Sequence, residues 1–407
     1  MKTSALEVCD LTVGEKIELR RRRRGLSRRA LAELVGRSEE WMRLIETGRH
    51  PLDSVRMILR LAQILRIEDY TELIEVAKPA VRRSTDDAEA MVEVIEPTVI
   101  DNPGTGALRR AWPRYSSTSA LAAEVHRCQE TWENSPIRFS TLAQRLPILL
   151  ANLRAENSAA VALEPRVRAY HTTCQLLRRI GASDLAWVVA DRAAENALRH
   201  GCQSLITASA WHVGATLLDL GRLSACVEYC SGAAGALSVE VPQRGQKAAL
   251  WGSLHLLAAR AATMNKDEAR AQRSLAHARD AARAFGSGGT YCGIPFGPSE
   301  INFALMETAL SGRDFGEAVR IAGQVDFPEH YPIAATARYH IALAYGFVNT
   351  GEYVAATLAL DKAATVCPED LRFDADAQRT LYHLMRNSGG GRPRREISRL
   401  AKLAHVG

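Results

Sequence analysis

Apolar residues between positions 13 and 67 recur every three to four residues, in runs cut short by glycine or serine. Such a pattern predicts several short amphipathic helices with tight turns. Val13–Arg24 sets Val13, Ile17 and Leu19 along one helix and stops at Gly25. Ser27 is placed to cap a second helix, Arg28–Val35, with Leu31, Leu34 and Val35 as its core face. Gly36 ends that helix, because glycine accepts the positive φ of a helix stop. Ser38 caps a third helix, Glu39–Glu46, which turns Met42 and Ile45 inward and stops at Thr47 and Gly48. After Pro51, Asp53 or Ser54 caps a fourth, with Ile58, Leu61, Ala62 and Leu65 facing inward.

The periodicity then lapses. Residues 78–118 gather Pro79, Pro97, Pro103 and Pro113 and a turn at Asn102–Gly106, and read as an interdomain linker. Within them, Met91–Ile95 and Thr98–Ile100 have the composition of a short strand or strand pair. Helical periodicity returns over residues 119–386, with turns at Gly181, Gly221, Asn265, Gly312 and Gly351. Intervals of 40, 44, 47 and 39 residues are the beat of stacked helical hairpins with loops of variable length. Gly286–Ser299 interrupts the beat; it lacks the ending of a phosphate-binding loop and reads as a long inter-repeat loop. Residues 387–407 form a basic C-terminal tail with some amphipathic-helix character. The expected fold is therefore all-α, with an N-terminal helix-turn-helix bundle over residues 10–77 and an α-solenoid over residues 119–386.

The first region carries a specific resemblance. Gly14, Ile17, Gly25, Leu26, Ser27, Ala30, Leu31, Ala32, Val35, Gly36, Ser38, Trp41, Met42, Ile45, Glu46 and Gly48 keep the spacing of the lambda-repressor-like (XRE) helix-turn-helix family over about 55 residues. It departs from the family at Arg28, where glutamine is common, and at Arg20, where leucine is usual. The resemblance implies that the third helix enters the major groove of double-stranded DNA and that Glu39, Glu40 and Arg43 face the bases. A glutamate can accept from cytosine N4 and an arginine can grip guanine O6 and N7. Glu39 and Glu40 also suit the positive end of their own helix, so for them both readings stand. Arg28, Arg37 and Arg49 are the expected phosphate contacts. Arg21 aligns with a family arginine that pairs with the glutamate at Glu46, tying the first helix to the third.

The second region resembles tetratricopeptide (TPR) repeats. Leu343, Ala344, Phe347, Gly351, Tyr353, Ala356, Leu360, Ala363 and Pro368 follow the pattern, and Gly214, Leu217, Gly221, Leu223, Cys226, Cys230 and Ala233 give a weaker copy. Such hairpins stack into a superhelix with a concave groove. Ten residues before the first two turns lie His171 and Trp211, with His255 following in one register of the third repeat; Arg168, Gln175 and Tyr345 lie along similar faces. Together with Tyr291 and Phe296, set to close over the groove, they are the candidate ligand-groove residues. Space-filling between helices accounts equally for Trp211 and His255 taken singly.

Charge and composition narrow the function. The 407 residues carry a formal net charge of only +6. Between Asp10 and Tyr70, however, fourteen Lys and Arg face ten Asp and Glu, a local excess that suits a phosphate-binding module. No apolar run approaches the ~20 residues of a membrane span, and a cytoplasmic location is expected. Cys226 and Cys230 could share a helix face as metal ligands, but small buried residues at a packing seam explain them better. No catalytic, metal or cofactor site is expected, since the spacings of zinc proteases, serine hydrolases and nucleotide loops are absent. An XRE-type domain followed by TPR repeats resembles bacterial peptide-pheromone and signal-sensing regulators and long actinomycete regulators. That resemblance implies a homodimeric DNA-binding transcriptional regulator with an unknown peptide, small-molecule or protein ligand in the groove. A TPR interaction scaffold without a small ligand is the alternative.

Overall fold

The computed structural model describes residues 13–47, 52, 55–67, 80–100, 112–155, 163–237, 246–286, 288–328, 331–387 and 392–406. Arg49 and the caps Asp53 and Ser54 lie outside them. The chain divides into two compact units, Met1–Pro79 and Ala80–Gly407. Twenty helices and one two-stranded hairpin occur among the described residues.

In the first unit, α1 (Val13–Arg23), α2 (Arg28–Val35), α3 (Glu39–Glu46) and α4 (Val55–Leu65) enclose a core of Ile17, Leu31, Val35, Met42, Ile45, Leu61 and Leu65. The Ser27 and Ser38 hydroxyls accept the Ala30 and Trp41 amides at 3.0 and 3.1 Å, capping α2 and α3. Between them Gly36 turns at φ 73°, where a β-carbon would strain the backbone. Leu34 departs from the expected core face and is 48% exposed. A stripe through Leu31 and Val35 already fills the core side of so short a helix, leaving Leu34 on its outer flank. Gly14 marks the tightest contact: a β-carbon there would sit 2.5 Å from the Glu46 carbonyl oxygen, so α1 crosses the end of α3 backbone to backbone.

The second unit begins earlier than the linker reading allowed. α5 (Ala80–Ile100) is a helix where a strand pair was expected, because Met91, Ile95 and Val99 repeat at four residues and bury one stripe. Pro97 lies inside it. The Arg154 guanidinium donates to the Thr98 carbonyl at 2.5 Å and Arg192 donates to that of Val99, placing cations at the negative end of the helix. Hairpins follow: α6 (Thr118–Asn134) with α7 (Arg138–Ala155), α8 (Leu163–Arg179) with α9 (Ser183–His200), and α10 (Gln203–Asp219) with α11 (Leu223–Leu237). Next come α12 (Gln246–Met264) with α13 (Glu268–Phe285), α14 (Pro298–Ser311) with α15 (Phe315–Ala322), and α16 (Ile333–Asn349) with α17 (Tyr353–Val366). Cys226 and Cys230 are fully buried on α11, and a β-carbon at Gly214 of α10 would lie 2.3 Å from the Cys230 sulfur, so they form a packing seam.

Five of these hairpins turn alike. In each, an amide donates to the carbonyl five residues back: Ala182 to Leu177, Arg222 to Leu217, Asp267 to Ala262 and Asp314 to Ala309 at 2.9 Å, and Glu352 to Phe347 at 2.8 Å. The left-handed residue preceding each amide is Gly181, Gly221, Lys266, Arg313 and Gly351. The third and fourth turns therefore hinge one residue later than Asn265 and Gly312, which shifts the register of two repeats.

The solenoid closes on itself. Arg138 at the start of α7, wholly buried, donates to both carboxylate oxygens of Asp370 on α18 (Pro368–Phe373) at 2.6 and 2.8 Å. Arg179 reaches Asp370 at 2.8 Å, and Glu369 accepts the Phe139 amide at 2.7 Å, capping α7. Burial alone would push the Asp370 carboxyl up, but Arg138 and Arg179 hold it below its ordinary range. The expected tail is a structural cap. α19 (Ala375–Asn387) precedes α20 (Arg392–Leu403), whose Ile397, Leu400 and Ala401 join the last core cluster.

Candidate nucleic-acid interface and solenoid chamber

The leading turn of α3 stands out from the first unit, with Ser38, Glu39 and Glu40 all exposed. Arg43 lies one turn further on, its guanidinium held by Glu40 through Nε to Oε2 at 2.8 Å and Nη2 to Oε1 at 2.5 Å. The three candidate base contacts are thus brought to one end of one helix. Arg37 is exposed, with its guanidinium 5.6 Å from the Trp41 ring centroid. Trp41 itself packs part-buried against the core.

Arg28 is placed differently from the free clamp expected of it. Its Nε donates to Glu46 Oε2 at 2.7 Å, beside Arg21, whose Nε and Nη2 hold the same carboxylate at 2.6 and 3.1 Å. Glu46 is buried, so two arginines from α1 and α2 neutralise one acid of α3 and fix the angle of that helix. The Arg28 side chain remains a third exposed, leaving its outer edge toward solvent.

In the second unit, the inter-repeat loop folds inward rather than lying over the groove. β1 (Gly289–Tyr291) pairs antiparallel with β2 (Ile294–Phe296), and the hairpin packs on α8, α10 and α12, the first helices of three hairpins. Gln175 Nε2 of α8 donates to the Gly293 carbonyl at 2.9 Å, and the Tyr291 hydroxyl bonds Ser204 at 3.1 Å. Ile294 is buried against Ala208 and Leu250. Under the hairpin remains a chamber of about 240 Å³.

Of the candidate groove residues, Gln175 and Trp211 line this chamber. The others are elsewhere. Arg168 pairs with Glu164 on its own helix at 2.8 Å. His171 is buried, bonded to Ser209 at 2.8 Å and stacked on His212 at 4.3 Å. His255 packs against Trp251 and His277, at 4.3 and 4.7 Å between ring centroids. Phe296 is fully buried in the core, against the bare backbone of Gly252. Tyr345 packs edge-on to Phe315. With Lys266 as the third hinge, the tenth residue back is Leu256, not His255, and Leu256 does line the chamber.

The chamber wall is charged. Arg178 bonds Asp219 at 2.6 Å, and Arg179 bonds Asp370 and Asp374 at 2.8 and 3.1 Å. Arg260 and Arg338 share Glu307, at 3.0 and 3.3 Å. Burial pushes the Glu300 carboxyl up, and the Tyr331 hydroxyl bonds it at 3.1 Å. Glu133, at the end of α6, has no hydrogen-bond or ion-pair partner among the described residues; desolvation and Glu130 push its carboxyl up. These residues were not among those expected, yet a signal existed. Six residues before the hinges stand Gln175, Arg260, Glu307 and Tyr345; thirteen before stand Ser253, Glu300 and Arg338. A one-residue slip in two turns hid Arg260, Glu300 and Glu307.

Among the described residues, no group of His, Cys, Asp and Glu is arranged to hold a metal, and no helix is long and apolar enough to cross a membrane. Comparison with known proteins adds one firm finding: the model described as a helix-turn-helix domain matches residues 12–73. No protein of curated function matches the chain. Nine chains of solved structure do, among them the crystal structure of Bacillus thuringiensis PlcR in complex with the peptide PapR7 and DNA. That match is 11% identical, covers 92% of this chain and 99% of the other, and has a TM-score of 0.26, too low to transfer positions from one to the other. The chain therefore carries a helix-turn-helix domain over residues 12–73, followed by an all-α domain of helical hairpins.

Proposed function

We propose that this protein is a sequence-specific DNA-binding transcriptional regulator, acting as a homodimer, whose repeat domain receives a signal molecule in its chamber. One observation carries the DNA reading. The first turn of α3 is exposed, capped by Ser38 and angled by the Glu46 cage, with Glu39, Glu40 and Arg43 at its outer end. A helix so presented fits the major groove, where side chains of its leading turn meet base edges. In free protein Glu40 occupies the Arg43 fork, so on DNA that arginine exchanges a carboxylate for guanine O6 and N7. Arg37 and the outer edge of Arg28 flank the same surface and suit phosphates.

The signal reading rests on the charged chamber, which the chain's own hairpin partly covers and which carries imperfectly paired groups. A chamber of that kind suits a small molecule better than a folded partner, which places the scaffold reading second. Selection of duplexes from a random library by the full-length protein, followed by fluorescence anisotropy, tests the assignment. A recovered palindromic motif with at least about 10³-fold preference over random duplex is expected. Indifference to duplex DNA at low ionic strength would overturn it.

A further inference from the structure

We infer that the chamber binds a small zwitterion, a molecule with an ammonium or guanidinium group at one end and a carboxylate at the other. This deepens the signal-sensing half of the reading above and rests on it.

The inference follows from charges left unmatched inside the chamber. Arg178 and Arg179 are satisfied by short bonds to Asp219, Asp370 and Asp374 and are not free to recognise a ligand. Arg260 and Arg338 have one carboxylate, Glu307, between them. Its contacts to Arg338, at 3.3 and 3.4 Å, are well beyond the 2.7–2.9 Å of a good charge-assisted bond. The Arg338 Nε is buried and meets Glu307 Oε1 only at 3.3 Å, without hydrogen-bond geometry. Glu300, the other nearby acid, accepts the Tyr331 hydroxyl at 3.1 Å and makes no ion pair with either arginine among the described residues. One wall therefore carries two guanidiniums that share a single ion-paired carboxylate.

On the α6 side of the same chamber Glu133 is an acid without a partner. Desolvated charges without partners are costly and persist where something else compensates them. A ligand with a single anionic group would answer Arg338 and leave Glu133 unpaired; a simple amine would do the reverse. A molecule with both answers both. Trp211 offers an apolar wall for the carbon chain between them. Size limits the class further. The β-hairpin, latched by Gln175 and Tyr291, covers one side and leaves a chamber of about 240 Å³, a volume that suits a small molecule.

The test uses the full-length protein in thermal-shift and calorimetric titrations. The probes are γ-aminobutyrate, ε-aminocaproate and glycylglycine, each beside an n-alkylamine and an n-alkanoate of matched length. At least one zwitterion at about 5 mM is expected to raise Tm by about 2 °C or more, with its matched amine and acid inactive. Glu133→Gln removes the shift without lowering Tm of the free protein, because no bond to Glu133 is lost. Arg338→Gln weakens binding at least about tenfold. Equal shifts from the single-charge probes, a shift that survives Glu133→Gln, or no shift across the series would each overturn the inference. The same samples are assayed for DNA binding without probe. Specific DNA binding with no zwitterion response removes this inference alone, whereas zwitterion binding by a protein indifferent to DNA removes the regulator reading.

Discussion

Each unit holds a buried carboxylate in a cage of two arginines, and the two cages are assembled over very different lengths of chain. Glu46 is held by Arg21 and Arg28, 25 and 18 residues away. Asp370 is held by Arg138 and Arg179, 232 and 191 residues away. The first cage needs only three short helices in their locally dictated order. The second forms only when every hairpin between α7 and α18 has stacked in register, since an error in any one displaces the far end. One cage reports a local motif, the other the integrity of the whole solenoid.

The largest expected effect breaks that contrast at its far end. Asp370→Ala leaves Arg138 buried without its carboxylate and should cost about 3–5 kcal/mol of repeat-domain stability. Arg28→Ala should cost much less, because Arg21 still neutralises Glu46 and Arg28 is partly exposed. Urea titrations of the two variants, followed through tryptophan fluorescence, would show it; equal destabilisation would mean the two cages do the same job.

Acid should also separate the units. Burial holds His171 down to about 3 and His255 and His340 down to about 4, and holds His212 well below its ordinary value. Each ring stays neutral in the folded repeat domain while the unfolded chain takes up a proton near pH 6.5, so stability is full above that pH. It falls as pH drops from about 6.5 toward 4, approaching about 1.4 kcal/mol per pH unit for each fully buried ring. The described part of the first unit contains no histidine and should melt later on acidification. Hydrogen exchange at pH 7 and pH 5 should show protection lost first in α8, α10, α12 and α16.

Smaller effects sharpen the first unit. Gly14→Ala forces α1 off the end of α3 and should cost about 1–3 kcal/mol. Gly232→Ala on α11, with nothing within 4 Å, should instead stabilise by about 0.5–1 kcal/mol. Calorimetric melts distinguish the signs. On DNA, Arg43→Ala should erode discrimination about tenfold while sparing non-specific affinity. Arg28→Ala should weaken all duplexes alike and reduce the salt slope by about one. Anisotropy at several salt concentrations checks both, and identical profiles would erase the division between reading and gripping.

Much of the first unit was legible because its information is local. Ser27, Gly36 and Ser38 act within three or four residues, and each does in the structure what its position suggested. The Arg21–Glu46 pair was readable only through a family resemblance. The repeat beat was equally visible, but the chamber was not. Lys266 and Arg313 turn where glycine was sought, and a one-residue error rotates a helix by about 100°, enough to exchange Arg260 for Ala259 and Glu307 for Met306. Phe296 and Tyr345 looked like groove residues because aromatics serve cores and sites alike; only packing assigned them to cores.

Sequence alone determined the first three helices with their Ser27, Gly36 and Ser38 caps and the succession of hairpins, because these follow from periodicity and short-range hydrogen bonding. Tertiary structure alone decided that α5 and α20 belong to the solenoid, that its ends meet through Arg138 and Asp370, and that Glu133 and Arg338 face one chamber. Those facts depend on small rotations summed over many repeats, which no local pattern of residues records.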